Sequence, residues 1–254
     1  MSAWPELLTK QRDDYAEQGE DWRDFAREHV FPYLDQRLPA MIETHGKLPA
    51  VCEEIFSRSQ KAIGLDCDVV VVFYIGIGCG AGWVTTYAGQ PAVLFGLENI
   101  AEEGWSGLES LHGLVAHELG HVAHFYWRDL RMLPKGTDAW WQLYIEGFAM
   151  VCEQLTLAQE SWHMQGRRNA GWLKWCQANR GWLAAEFMLR ADKGESMRPF
   201  FGSWYDLQGY KQTGYYLGHE FISSLATKKS LQEIACLDDF TTPLRRLLQE
   251  FAAH

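Results

Sequence analysis

The chain has 254 residues, 47% of them hydrophobic, and is long enough to bury a core of its own as one domain or two close lobes. Its formal net charge of −10 argues against nucleic acid as a partner, because nucleic-acid binding needs clustered Lys and Arg. No apolar run approaches the roughly 20 residues of a transmembrane helix, and the first residues lack the basic stretch and long apolar core of a secretory signal. We therefore expect a cytoplasmic protein with no membrane-spanning segment; its oligomeric state stays open.

The first 62 residues are polar and amphipathic and predict about three helices. Four prolines are expected to break this region, namely Pro5, Pro32, Pro39 and Pro49. Residues 66–77 give the strongest strand signal, and because the run is apolar on both faces it predicts a central strand covered on both sides. A short strand at 83–87 and another at 92–97 follow.

A run of glycines, Gly76, Gly78 and Gly80, follows the first strand, and Glu98 lies about where a ribose-binding acid would stand. This is the outline of a dinucleotide-binding fingerprint. That fingerprint needs a helix directly after the glycines, whereas residues 82–91 contain two glycines and a proline. The run is better interpreted as a flexible loop beside a cleft.

Residues 117–121 read His-Glu-Leu-Gly-His, which is the most informative motif of the chain. The pattern predicts a helix over 110–126 on which His117 and His121 lie on one face, one turn apart, where both can ligate one Zn²⁺. Glu118 lies roughly 100° round the helix, from where its carboxylate reaches a metal-bound water without ligating the metal. Two ligands and a general base on one turn are typical of a zinc hydrolase.

This helix is predicted to have two faces. One carries the histidines, and the other is an apolar stripe facing the core, formed by Leu111, Val115, Leu119, Val122 and Tyr126. His124 lies about 10 Å along the axis from His117 and is too far away to share its metal. We expect His124 to lie behind the metal ligands or in the wall of a cleft.

Catalytic zinc takes three protein ligands and one water, so one ligand is missing from the pentapeptide. The best candidate is Glu146, which lies in an apolar segment predicted to be helical over 138–158. A carboxylate in such a helix is costly to bury unless it is paired or bound to a metal. Gly147 and Ala149 are small enough for this helix to approach the motif helix closely. Glu153, seven residues further on and on the same face, is the rival ligand.

His117-Glu118-x-x-His121 followed by Glu146-Gly147-x-Ala149 resembles the gluzincin clan of zinc metallopeptidases. Within that clan the chain is most similar to a bacterial family of predicted zinc-dependent proteases. The resemblance is specific at the ligands and looser over about residues 65–225, where it includes the two strands and a Gly-Tyr-rich run at 210–221. It implies zinc as the cofactor, a glutamate ligand on the next long helix and amide hydrolysis as the chemistry.

The chain departs from some gluzincins at the position four residues after the glutamate ligand, where an acidic residue orients a ligating histidine. Here that position is Met150, so the partner of the imidazoles must come from elsewhere. Asp129 and Asp138 are candidates, and the sequence does not choose between them.

We therefore expect an α+β fold, mostly helical, with a small mixed β-sheet preceding a zinc-binding HExxH helix, as in zincins. An N-terminal helical segment (1–62), a part with the sheet and the motif helix (63–130) and a C-terminal helical part with the glutamate ligand (131–254) are expected to form one compact catalytic unit.

The predicted function is a zinc-dependent metallopeptidase in which Glu118 is the general base for a zinc-activated water that attacks a peptide bond. The oxyanion needs a further donor. Tyr215 and His219 share a helix face and are preferred to Tyr210 and Tyr216, although aromatic packing explains any one of them equally well. The alternatives are a zinc-dependent hydrolase of a non-peptide amide or ester and a non-catalytic zinc-containing binding protein.

The substrate is expected to be a peptide or protein, with the strand at 92–97 as the edge that pairs with it. Glu98 either binds a substrate amine or lies on the surface. None of the six cysteines forms a Cys-x-x-Cys pair, and most are interpreted as buried free thiols. Most of the 12 tryptophans are expected to pack the C-terminal helices, with an aromatic-lined cleft as the alternative.

Overall fold

The computed structural model describes residues 5–18, 22–128, 138–163, 171–202 and 205–253. Over these ranges the chain is mostly helical with one three-stranded mixed sheet, and the predicted α+β class is confirmed. None of the described helices combines the length and the apolar character needed to cross a bilayer. The chain divides into two compact units, Met1–Gln60 with Leu65–Glu118 and Lys61–Gly64 with Leu119–His254.

The first unit contains the sheet and the N-terminal helices. Its elements are α1 (Pro5–Gln18), α2 (Trp22–Phe25), a π-helical turn (Ala26–Val30), a 3-10 turn (Phe31–Tyr33), most of α3 (Leu34–Ile63), β1 (Val70–Tyr74), β2 (Gly82–Tyr87), β3 (Gln90–Gly96), α4 (Leu97–Glu102) and the first half of α5 (Leu108–Trp127). The boundary between the two units falls inside α5, between Glu118 and Leu119, and α5 itself is continuous.

Helix α3 runs for 30 residues and contains Pro39 and Pro49, so the predicted breaks at these two prolines are wrong. Each proline removes one backbone N–H donor from the helix. Apolar side chains such as Leu48 and Ile55 are nevertheless fully buried along it. Because most helical stability in proteins comes from packing of one face, this burial outweighs the local penalty.

The sheet has the order β1-β3-β2, with β1 parallel and β2 antiparallel to the central β3. The short strand predicted at 83–87 is confirmed as β2. The strand predicted at 66–77 is present as β1, but it covers only Val70–Tyr74, and its predicted central position is wrong because it lies at an edge of the sheet with Val71 exposed. The strand predicted at 92–97 is confirmed as β3 (Gln90–Gly96), but its predicted position at the edge of the sheet is wrong, because β3 has a partner strand on each side.

One face of the sheet is covered by α1, since Leu7 packs in a cluster with Tyr74, Ala92 and Leu94. Helix α1 is also tied to the sheet by polar contacts, and Lys10 Nζ donates a hydrogen bond to Thr85 Oγ1 at 3.0 Å. The apolar run at 66–77 therefore predicts a strand correctly, but it does not determine whether β1 lies at the centre or at the edge of the sheet.

The second unit is helical, as predicted for the chain after residue 106. It contains the remainder of α5, α6 (Ala139–Leu157), α7 (Trp172–Ala178), α8 (Arg180–Lys193), α9 (Arg198–Phe201), α10 (Gly214–Ala226), α11 (Leu231–Ala235) and α12 (Thr241–Ala252). In its described residues the β-structure amounts to one isolated bridge, between Leu207 and Tyr210.

The aromatic residues of this unit mainly form its core. Four tryptophans are at most 8% exposed, namely Trp140, Trp141, Trp162 and Trp172. Trp182, in contrast, is 39% exposed, and Trp204 lies outside the described residues. Packing therefore accounts for these four tryptophans.

Candidate metal centre

The pentapeptide lies in the middle of α5, whose bounds agree with the predicted helix to within two residues. The residues His117, Glu118 and His121 are only 1%, 4% and 8% exposed. The face that carries the histidines is therefore buried, as is most of the predicted apolar stripe. Tyr126, assigned to the core stripe, is instead 48% exposed.

The structure brings the three predicted ligands together. His121 Nε2 lies 3.4 Å from Glu146 Oε2, and the ligand atoms of His117, His121 and Glu146 are all within 4.8 Å of one another. Zinc bonds of about 2.0–2.1 Å in a tetrahedron would hold two ligand atoms about 3.3 Å apart. The donor types and the distance between His121 and Glu146 therefore fit a zinc ion.

Helix α6 carries Glu146 and begins at the predicted place. Asp138 is its N-cap, and one carboxylate oxygen of Asp138 accepts hydrogen bonds from the backbone N–H groups of Trp140 and Trp141. A capping aspartate of this kind stabilises the first turn of a helix. The expectation that Asp138 is a partner of a ligand imidazole is therefore not supported, and Asp129 lies outside the described residues.

The close approach of α5 and α6 depends on Gly120, inside the pentapeptide. A Cβ on Gly120 would lie 2.8 Å from Cys152 Cβ and 3.0 Å from Ala149 Cα. Ala149 thus contributes to the approach, as expected. Gly147 does not, because it faces α10, where a Cβ would lie 2.3 Å from the carbonyl carbon of Gly218.

A second group of side chains shares His117. The ligand atoms of His117, Glu153 and His163 also lie within 4.8 Å of one another, and all three residues are buried. Glu153 is fully buried and accepts hydrogen bonds from Ser161 Oγ and from the backbone N–H of His163. It lies two helical turns after Glu146.

An imidazole has two ring nitrogens, so His117 can offer one nitrogen to each group. A carboxylate behind a ligating histidine fixes the ring and raises its basicity. Glu153, the rival ligand in the sequence, belongs to this second group with His117 and not to the group that contains His121 and Glu146. Met150, which stands where some gluzincins have an acidic residue, is fully buried. His163 was not anticipated, and no spacing pattern in the sequence identifies it.

His124 is part of the core, and the expectation that it lies behind the metal ligands or in a cleft wall is wrong. It is 0% exposed, and its ring lies 5.0–5.3 Å from the rings of Trp141, Tyr144 and Phe148. Within the described part of the chain neither of its ring nitrogens has a hydrogen-bond partner. Burial, together with the charges of His121 and Arg128, lowers the pKa of His124 well below its ordinary value.

The two candidate oxyanion donors, Tyr215 and His219, lie on α10. Tyr215 is 7% exposed, and its ring stacks on His163 with a centroid distance of 4.8 Å. His219 Nε2 lies 3.1 Å from Gln154 Oε1, next to Glu153 in the chain. Tyr215 thus contacts the second group through His163, and His219 contacts α6 through Gln154.

The two other tyrosines have packing roles. Tyr216 is 2% exposed beside Trp162, and Tyr210 stacks on Trp175 at 4.2 Å. Aromatic packing therefore explains Tyr210 and Tyr216, the two less favoured candidates for the oxyanion donor.

Comparisons with protein-family models, with curated proteins and with solved structures give no match to this chain. The functional interpretation therefore rests on the residues and the geometry described above.

Proposed function

We propose that this chain is a zinc-dependent metallopeptidase of the gluzincin type, with a zincin-like catalytic core. His117, His121 and Glu146 are the proposed ligands. The proposal is supported by the convergence of these three donors within 4.8 Å, with Glu118 next to the first ligand on the same helix. Two imidazoles and one carboxylate are a donor set of catalytic zinc sites, which keep a fourth position open.

When bound, zinc lowers the pKa of a coordinated water and polarises the carbonyl of the substrate. Glu118, almost fully buried on α5, is the proposed general base. Its carboxylate accepts a proton from the attacking water and later delivers that proton to the leaving amine. Tyr215 and His219 are the proposed hydrogen-bond donors to the tetrahedral oxyanion.

The proposed substrate is a peptide or protein bound in an extended form. We assign the pairing with the substrate to β2 and not to β3, because within the described residues β2 pairs with β3 alone. Its other edge therefore offers backbone donors and acceptors to a peptide. The six free cysteines favour the reducing cytoplasm as the location of the protein.

The first test is the zinc content of the purified protein and of three variants. We expect about one zinc per chain in the wild type and in Glu250→Ala, an exposed control on α12. Glu146→Ala should lose most of its zinc, whereas Glu153→Ala should bind zinc about 10–100-fold more weakly. Zinc kept by Glu146→Ala but lost by Glu153→Ala would move the centre to the second group. No zinc in the wild type after zinc has been supplied would refute the proposal.

The second test is hydrolysis by the zinc-loaded protein. Glu118→Gln should keep its zinc and lose at least about 100-fold in the rate of peptide cleavage, a typical contribution of a general base. Full activity in this variant would refute the role of Glu118. Cleavage of small esters or amides but not of peptides would favour the non-peptide hydrolase. Zinc binding without any hydrolysis would favour a binding protein.

A further inference from the structure

The carboxylate of Glu98, in the first turn of α4, is fully buried. It accepts hydrogen bonds from the backbone N–H of Gly76 at 2.8 Å and of Gly78 at 3.1 Å. A buried carboxylate is costly unless it is hydrogen-bonded, and bonds to an ionised acceptor are the stronger ones. Glu98 is therefore neither a surface residue nor a group open to a substrate amine. It is an anchor for the glycine run between β1 and β2.

The glycine run is held at several other points. Gln11 Nε2 donates to the carbonyl of Gly76 at 3.1 Å, and the backbone N–H of Gly96 donates to the carbonyl of Ala81 at 3.1 Å. Gly78 has a φ of +87°, and a Cβ there would lie 2.3 Å from the ring of Phe25. The run is thus a fixed element of the first unit, and the expectation of a flexible loop is wrong.

The run ends at Gly82, the first residue of β2, and there it meets the proposed general base. A Cβ on Gly82 would lie 2.7 Å from Glu118 Oε1 and 2.9 Å from Glu118 Cδ. Contacts below 3.0 Å are essentially never made by a real Cβ. The backbone of Gly82 therefore packs directly against the carboxyl group of Glu118 and limits where that group can lie.

We propose that the Gly76–Gly82 segment, anchored by Glu98, sets the orientation of the Glu118 carboxylate. Gly82 and Glu98 are then positioning residues. A side chain at Gly82 would displace the Glu118 carboxylate. Loss of the hydrogen bonds from the Gly76–Gly82 segment to Glu98 would let the backbone of Gly82 shift. The catalytic meaning of this contact rests on the proposed function, whereas the contact itself does not.

The direct test is the ¹³Cδ resonance of Glu118, assigned by its disappearance in Glu118→Gln. We expect this resonance to move in Gly82→Ala, in Glu98→Gln and in Gln11→Met, a milder change that removes the amide donating to the carbonyls of Ile75 and Gly76. It should stay in place in Gly107→Ala, a control at which a Cβ meets no atom within 4 Å. An unmoved resonance in folded Gly82→Ala overturns the proposal, whether or not the protein cleaves peptides.

Steady-state kinetics on a peptide that the wild type cleaves give the functional readout. Gly82→Ala should keep one zinc per chain and lose about 100-fold or more in kcat with KM changed less than about threefold, because only the base is displaced. Gly107→Ala should retain wild-type kcat. Loss of zinc or of the fold together with kcat in Gly82→Ala would show a merely structural role and overturn the positioning claim.

Discussion

Gly147 of α6 and Gly218 of α10 are in direct backbone contact. A Cβ on Gly147 would lie 2.3 Å from the carbonyl oxygen of Gly218, and a Cβ on Gly218 would lie 2.5 Å from the carbonyl oxygen of Leu143. Because backbone atoms form the obstruction on both sides, no rotation of a side chain can relieve it. The contact holds the helix of Tyr215 firmly against the helix of Glu146.

Gly218→Ala should therefore lower the free energy of unfolding by about 1–3 kcal/mol, the usual cost of overpacking, although alanine is the better helix former. Gly46→Ala is the matched control, since Gly46 lies inside α3 and a Cβ there meets no atom within 4 Å. The free energy of unfolding of Gly46→Ala should rise by about 0.5–1 kcal/mol. Urea unfolding measures both, and equal effects of the two substitutions would contradict the contact.

His124 should make the stability of the protein depend on pH. Its folded-state pKa is lowered by burial, so the native protein keeps the imidazole neutral. Below the ordinary pKa of about 6.5 the unfolded chain binds a proton that the native chain excludes. The free energy of unfolding should then fall by up to about 1.4 kcal/mol for each pH unit below about 6.5, until the lowered folded-state pKa is reached.

His124→Leu measures this contribution, because leucine cannot take up a proton in either state. Its stability should fall less steeply than that of the wild type between pH 6.5 and 5 in urea titrations of the zinc-free protein. Other titrating groups cancel in this difference. Parallel pH profiles for the two proteins would show that His124 is protonated in the native state.

Tyr215 is the candidate oxyanion donor whose hydroxyl can be removed most cleanly. Tyr215→Phe keeps the ring that stacks on His163 and should lower kcat by about 10²–10³-fold with little change in KM. Tyr216→Phe is the control, since Tyr216 is the next residue on α10 and packs beside Trp162. Equal kcat values for the two variants would remove Tyr215 from the mechanism.

Arg128 joins the end of α5 to the residues around the end of α11. Its Nη1 donates to the carbonyls of Ala235 and Leu237 at 3.1 and 2.8 Å, and its guanidinium lies over the ring of Trp141. Arg128→Lys keeps the charge but loses the planar fork. We expect it to lower the free energy of unfolding by about 1–2 kcal/mol, measured by urea unfolding. An unchanged value would mean that the lysine ammonium replaces both hydrogen bonds.

The parts of the fold that depend on local signals could be predicted from the sequence. Helix α6 follows from an apolar run with Asp138 as its cap, and Glu146 stands out as a carboxylate within that run. The spacing of His117 and His121 likewise follows from helical geometry alone. These predictions need only neighbours within a few turns of one helix.

The parts that depend on distant contacts could not be predicted in this way. The order β1-β3-β2 is a choice among long-range pairings, which apolar composition does not specify. Pro39 and Pro49 are helix breakers in isolation, and only tertiary packing keeps them inside α3. Glu98 looked exposed because its partners, Gly76 and Gly78, come from another segment of the chain.

Cys152 lies under Gly120, where α5 meets α6, and burial raises the pKa of its thiol far above the ordinary range. A thiol reagent can therefore reach Cys152 only during a transient separation of these helices. Cys236 is exposed and would react at once, giving an internal reference. Cys52 and Cys176 are buried as well, so labelling has to be followed at Cys152 itself by peptide mass spectrometry. The labelling rate of Cys152 then times how often the two helices carrying the proposed ligands part, and bound zinc should lengthen that interval.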